Sequence, residues 1–178
     1  RFSGNIFIDD GLIIGYYSYD NIVEDNLVNN KALVYLEDAS DLTVEDAGQV
    51  ILVKCSNITV RNLNLSYTSV GVELWESSNS TIIGNTMTAT SMSGIFLYSS
   101  SGNYVVGNNI TNNSYYGVYL WYSSNNKLYH NNIINNTNQT VLDPPGYGNL
   151  WDDGYASGGN YWRDYTGVDL HRGPYQNE

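Results

Sequence analysis

Gly71-Val-Glu-Leu-Trp-Glu-Ser-Ser-Asn, Gly94-Ile-Phe-Leu-Tyr-Ser-Ser-Ser-Gly and Gly117-Val-Tyr-Leu-Trp-Tyr-Ser-Ser-Asn repeat one pattern at intervals of 23 residues. A fixed period in the twenties marks a solenoid, in which each repeat buries its apolar side only against its neighbours. Within a unit, apolar residues alternate with polar or aromatic ones, as in a strand with one buried face. Val72, Ile95 and Val118 form one column and Leu74, Leu97 and Leu120 the next; Ile82, Val105 and Leu128 fall in a second strand, and Met87, Ile110 and Ile133 in a third. β-Branched residues, Gly, Ser and Asn disfavour a helical repeat, and a single recurring leucine excludes leucine-rich repeats. The expected fold is all-β: a single-stranded parallel β-helix (β-solenoid) of about six coils of 22–23 residues over 1–140, then an irregular tail over 141–178. Its coils should stack about 4.8 Å apart.

Outward from the repeat, Asn85, Asn108 and Asn131 share one offset, so their amides can hydrogen-bond from coil to coil. Asn also tolerates the left-handed backbone of a tight corner. Residues 1–31 read as further coil: Asn5-Ile-Phe-Ile is a strand pattern, and Gly11-Leu-Ile-Ile followed by Asn21-Ile-Val mirrors Gly71 and Ile82. Ser40-Asp-Leu-Thr-Val matches Ser56-Asn-Ile-Thr-Val sixteen residues later, which predicts a tight coil or one lacking its third strand. The period stops after Thr140, at the chain reversal Asp143-Pro-Pro-Gly.

The 178 residues are one domain by length. A net charge of −11 argues against nucleic acid, and no apolar run is long enough for a membrane span. The chain begins with Arg1 and shows no signal peptide, so it reads as a processed or excised piece of a larger polypeptide. Cys55, the single cysteine, reads as a small buried hydrophobe. Seven Asn-X-Ser/Thr sequons, at Asn57, Asn64, Asn79, Asn109, Asn112, Asn135 and Asn138, are glycosylation candidates that suit an extracellular, cell-surface setting.

Gly48-Gln-Val-Ile-Leu-Val-Lys-Cys-Ser-Asn-Ile-Thr-Val-Arg-Asn-Leu, the Gly71 unit and the tail Asn149-Leu-Trp-Asp-Asp-Gly-Tyr-Ala-Ser-Gly-Gly-Asn-Tyr-Trp-Arg-Asp-Tyr resemble the NosD-like right-handed parallel β-helix repeats. These are grouped with carbohydrate-binding and sugar-hydrolase modules and are frequent in archaeal surface proteins. The resemblance covers nearly the whole chain. It implies a right-handed coil and a secreted surface module.

Two outward columns are candidates for function: Val53, Trp75, Tyr98, Trp121 and Ile51, Glu73, Phe96, Tyr119. Aromatic faces at rung spacing suit sugar rings; alternatively the tail's Trp151, Tyr155, Tyr161 and Trp162 fold over them, or another copy packs there. A polysaccharide lyase or hydrolase needs paired carboxylates or Ca²⁺ with a basic residue, whereas residues 47–140 carry only the acids Glu73 and Glu76, read as solvated. No catalytic residue is assigned. Copper needs soft or imidazole ligands, and His130, His171, two Met and one Cys are scattered. No cofactor is expected beyond weak Ca²⁺ candidates at Asp38, Asp41, Glu45 and Asp46 and at Asp152, Asp153, Asp164 and Asp169. The open first strand, Asn5 to Ile8, is a template for an adjoining module or another subunit, which predicts self-association into a filament or sheath, with polysaccharide as the rival partner.

Overall fold

The computed structural model describes residues 1–16, 18–144, 146–154 and 158–162. Three sheets of stacked strands wrap one interior, a fourth, two-stranded sheet pairs Phe2–Ser3 with Val23–Glu24, and the described residues contain no helix. The long sheet runs, in chain order, through Ile6–Phe7, Leu27–Val28, Lys31–Glu37, Gln49–Val53, Val70–Trp75, Ser93–Tyr98, Tyr116–Trp121 and Asn138–Asp143. A second sheet stacks Thr43–Val44, Thr59–Arg61, Thr81–Ile83, Tyr104–Val106 and Lys127–Tyr129, and a third stacks Thr86–Thr88, Asn109–Thr111, Asn132–Ile134 and Tyr161–Trp162.

Register is strict. Leu36, Leu52, Leu74, Leu97, Leu120 and Leu142 are successive partners in one internal file. Val44, Val60, Ile82, Val105 and Leu128 form a second file. Met87, Ile110, Ile133 and Trp162 form a third. Their central members are fully buried, each contributing about 1.5–3 kcal/mol of apolar burial. The coil joining Lys31–Glu37 to Gln49–Val53 steps by sixteen residues and passes from Thr43–Val44 to Gln49 with no strand in the third sheet.

Corners share one construction. A residue with positive φ turns the chain, and the next side chain points inward. Lys54, Glu76, Ser99 and Tyr122 (φ 49, 49, 46 and 52) precede Cys55, Ser77, Ser100 and Ser123; Asn62, Gly84, Gly107 and His130 (φ 56, 65, 62 and 56) precede Leu63, Asn85, Asn108 and Asn131. The ladder asparagines are thus not themselves the left-handed residues expected from sequence; the residue before each one is. The inward serines and asparagines accept an N–H of the coil before: Cys55 N donates to Ser77 Oγ at 3.0 Å, Ser80 N to Asn103 Oδ1 at 2.9 Å, Asn85 N to Asn108 Oδ1 at 2.9 Å, and Thr90 N to Asn113 Oδ1 at 2.9 Å. A corner breaks the strand ladder, and these side chains satisfy the backbone donors it would otherwise strand.

Two segments depart from the sequence expectation. Residues 1–8 and 21–30 do stack as coil, with Phe2–Ser3 on Val23–Glu24 and Ile6–Phe7 on Leu27–Val28. This unit, however, meets the following strand antiparallel, through a turn at Asn29 and Asn30 (φ 49 and 64). Gly11-Leu-Ile-Ile is not a strand of the coil. Asp9, at φ 54, turns the chain outward, and residues 9–16 and 18–20 run as a strap over the outer face of the long sheet. The tail also differs. Asn149 and Asn160 extend the corner ladders by one more coil, and Trp151 and Trp162, 5.8 Å apart, pack on the end of the interior instead of on the outward aromatics. Tyr161 is exposed beside them, and Tyr155 lies outside the described residues.

Candidate functional site

Alternation along the strands sends every second residue outward, which builds the two columns read from sequence: Val53, Trp75, Tyr98 and Trp121, and Ile51, Glu73, Phe96 and Tyr119, each aligned rung on rung. Ordinarily such a face is wet. Here Ile51, Val53, Trp75 and Phe96 form a second apolar cluster with Ile14 and Leu12 of the strap. Tyr16 stands edge-on to three of the column's rings, at 5.9 Å from Trp75, 5.1 Å from Tyr98 and 5.1 Å from Trp121. The run of rings continues from this contact: Tyr119 lies 5.8 Å from Trp121 at 14°, and Trp121 lies 6.4 Å from Tyr122 at 15°, so the three are nearly parallel. Tyr122 is 58% exposed, while Tyr98, Tyr119 and Trp121 are half-buried.

The strap is held by polar side chains of the long sheet. Gln49 Oε1 accepts from Leu12 N at 2.9 Å, and Gln49 Nε2 donates to Leu12 O at 2.6 Å. Ser69 Oγ accepts from Gly11 N at 3.0 Å and donates to Asp10 Oδ1 at 2.6 Å. Glu73, read from sequence as a solvated face residue, is fully buried under Ile14. It accepts from Trp75 Nε1 at 2.6 Å and from Ile14 N at 3.5 Å. Burial outweighs these donors and pushes its pKa up to about 8, so the carboxyl is protonated at neutral pH. Glu76 stays exposed and accepts from Tyr19 Oη, while Lys54 Nζ sits 3.9 Å above the Tyr19 ring. Gln49, Ser69 and the strap itself carried no signal in the repeat pattern, because each is used once and not once per coil.

A family model described as periplasmic copper-binding protein (NosD) matches residues 1–167. This chain belongs to the NosD family. No curated protein and no solved structure matches it. Among the described residues of this NosD-family chain, no group of three or more His, Cys, Asp or Glu converges to receive the copper of the family's description. The Cys55 thiol is buried, donates to Leu36 O and Val53 O, and is pushed up by burial, the opposite of what a thiolate ligand needs. Met87 is interior, His130 is a corner residue packed on Tyr129, and His171 lies outside the described residues.

Other sequence candidates fall as follows. Asp41 accepts from Asn57 and Ser40, Glu45 pairs with Arg61 at 2.6 Å, Asp46 faces Lys31 at 3.8 Å, and Asp38 is exposed, so the first acidic group is dispersed among separate partners. Asp152 accepts from Gly154 N at 2.9 Å, Asp153 is a neighbour on that turn, and Asp164 and Asp169 lie outside the described residues. Asn108 Nδ2 donates to Asn131 Oδ1 and Asn85 Nδ2 to Asn108 Oδ1, at 2.9 and 3.1 Å. The sequon asparagines Asn57, Asn64, Asn79, Asn112, Asn135 and Asn138 are exposed and Asn109 is half-buried, whereas none of the buried ladder asparagines lies in a sequon.

Proposed function

We propose that this NosD-family chain is a non-catalytic extracytoplasmic module that holds carbohydrate on the half-exposed aromatic face formed by Tyr98, Tyr119, Trp121 and Tyr122. The observation that carries this reading is the near-parallel alignment of Tyr119, Trp121 and Tyr122 at the margin of the strap. Flat apolar faces edged with hydroxyls suit the alternating C–H and O–H character of sugar rings. The family's periplasmic description agrees with that location. A glycosidase would need two carboxyl groups flanking one bond, and Glu73 is sealed and uncharged under the strap.

Titration with neutral oligosaccharides tests the proposal. Saturable binding that is lost in Trp121→Ala and weakened in Tyr122→Ala is the expected result; unchanged heats for every glycan class reject it.

A second reading, end-to-end assembly, is favoured by one feature of the first rung. Ile6 and Ile8 are 66% and 61% exposed, and the strand Ile6–Phe7 pairs on one side only. Concentration-dependent light scattering that disappears in Ile6→Lys supports it, and a sample that stays monomeric when concentrated removes it.

A further inference from the structure

We propose that the aromatic face selects amino sugars, with Asp143 as the specificity-determining residue that receives the ammonium group. This rests on the carbohydrate reading above. The outward file runs Val53, Trp75, Tyr98, Trp121 and then Asp143, which is in register with Trp121 one rung on. Its main chain is tied to the same platform, since Tyr122 N donates to Asp143 O at 3.3 Å. The aromatic file therefore ends in an exposed carboxylate.

No other charged side chain stands on the three strands that carry the platform, whose sequences are Ser-Gly-Ile-Phe-Leu-Tyr, Tyr-Gly-Val-Tyr-Leu-Trp and Asn-Gln-Thr-Val-Leu-Asp. Lys54 shares the corner file of Tyr122 but lies three rungs away, about 14 Å at ordinary strand spacing, and is engaged over Tyr19. Burial first, and then the Asp143 charge, raises the Tyr119 phenol, so that charge reaches the rings. A uronate laid on Trp121 would meet this carboxylate with no compensating cation on the three platform strands, on a chain whose net charge is −11. An amino sugar instead gains both the carboxylate and the ring faces, because an ammonium is attracted to aromatic quadrupoles. Charge thus decides among ligands that the rings alone would accept alike.

The test is calorimetric titration of the chain with a glucosamine oligomer, its N-acetylated counterpart and a galacturonate oligomer, at about pH 5, where the amines are charged. The glucosamine oligomer should bind roughly two- to fivefold more tightly than the acetylated one, with the gap closing in high salt. Asp143→Asn should abolish that preference. Tyr122→Ala, at an exposed corner whose left-handed backbone Ala89 also adopts elsewhere, should weaken all binding. A galacturonate oligomer bound as well as the amino sugar, or a preference that survives Asp143→Asn, overturns the inference while sparing the platform. Absence of binding by any of the three overturns the platform reading and the inference with it.

Discussion

The inside of the coil and the outer face of its long sheet are made by the same strands, yet they bury apolar surface by different means. Inside, Leu74 meets Leu52 and Leu97, and each rung needs nothing but the rungs beside it. Outside, Trp75 and Phe96 are only 3% and 4% exposed because a non-repeating segment lies over them. The first arrangement is redundant and is repeated coil by coil. The second hangs on a few single contacts, and it thins where the strap ends, which leaves Trp121 half-buried and Tyr122 exposed. Periodic burial makes the rod; aperiodic burial decides which part of its surface is available.

The largest effect expected from this contrast is on pH dependence. Glu73 has a folded pKa of about 8 against an ordinary value of 4.5. The unfolded chain therefore releases this proton first. Its contribution is fully present below pH 4.5 and is lost as pH rises toward 8, on the order of 5 kcal/mol at most. Denaturant titrations across this window should show the slope in wild type and a flatter one in Glu73→Gln; parallel slopes would mean that the strap does not seal the carboxyl.

Leu97→Ala, in the interior file, should cost about 2–5 kcal/mol in a chemical melt, since a stack in strict register collapses poorly around a cavity. Gly11→Ala acts on the strap alone. A methyl there would meet Thr68 Oγ1 at 2.2 Å and Gln49 Oε1 at 2.5 Å, so the strap should lift at a cost of about 1–3 kcal/mol. Tryptophan emission should shift to the red while the far-ultraviolet β signal is kept. A loss of β structure in that variant would show that strap and coil fold as one unit. Smallest is Tyr122→Ala, within about 0.5 kcal/mol of wild-type stability, because its ring is on the open side.

Much of this was legible in the chain. Columns at a 23-residue step specify which residues share an internal file, because a parallel stack places every residue on its own counterpart. The Asn85, Asn108 and Asn131 file is visible for the same reason, and so, with the corner rule in hand, are Asn103, Asn126 and Asn149. The strap is different. Gly11-Leu-Ile-Ile has the composition and spacing of a coil strand, and local pattern cannot separate a strand that enters the stack from one that crosses it.

The sequence by itself determined the repeat, the identity of the buried files and the outward alignment of Trp75, Tyr98 and Trp121, since all of these follow from period and alternation. Only the tertiary structure decided that residues 9–16 and 18–20 cross that outward face over Trp75 and Phe96, that Glu73 is therefore neutral, that the tail's tryptophans close the interior and that Asp143 ends the aromatic file in the open. Those outcomes depend on contacts between segments that share no period, and a repeat carries no information about what lies across it.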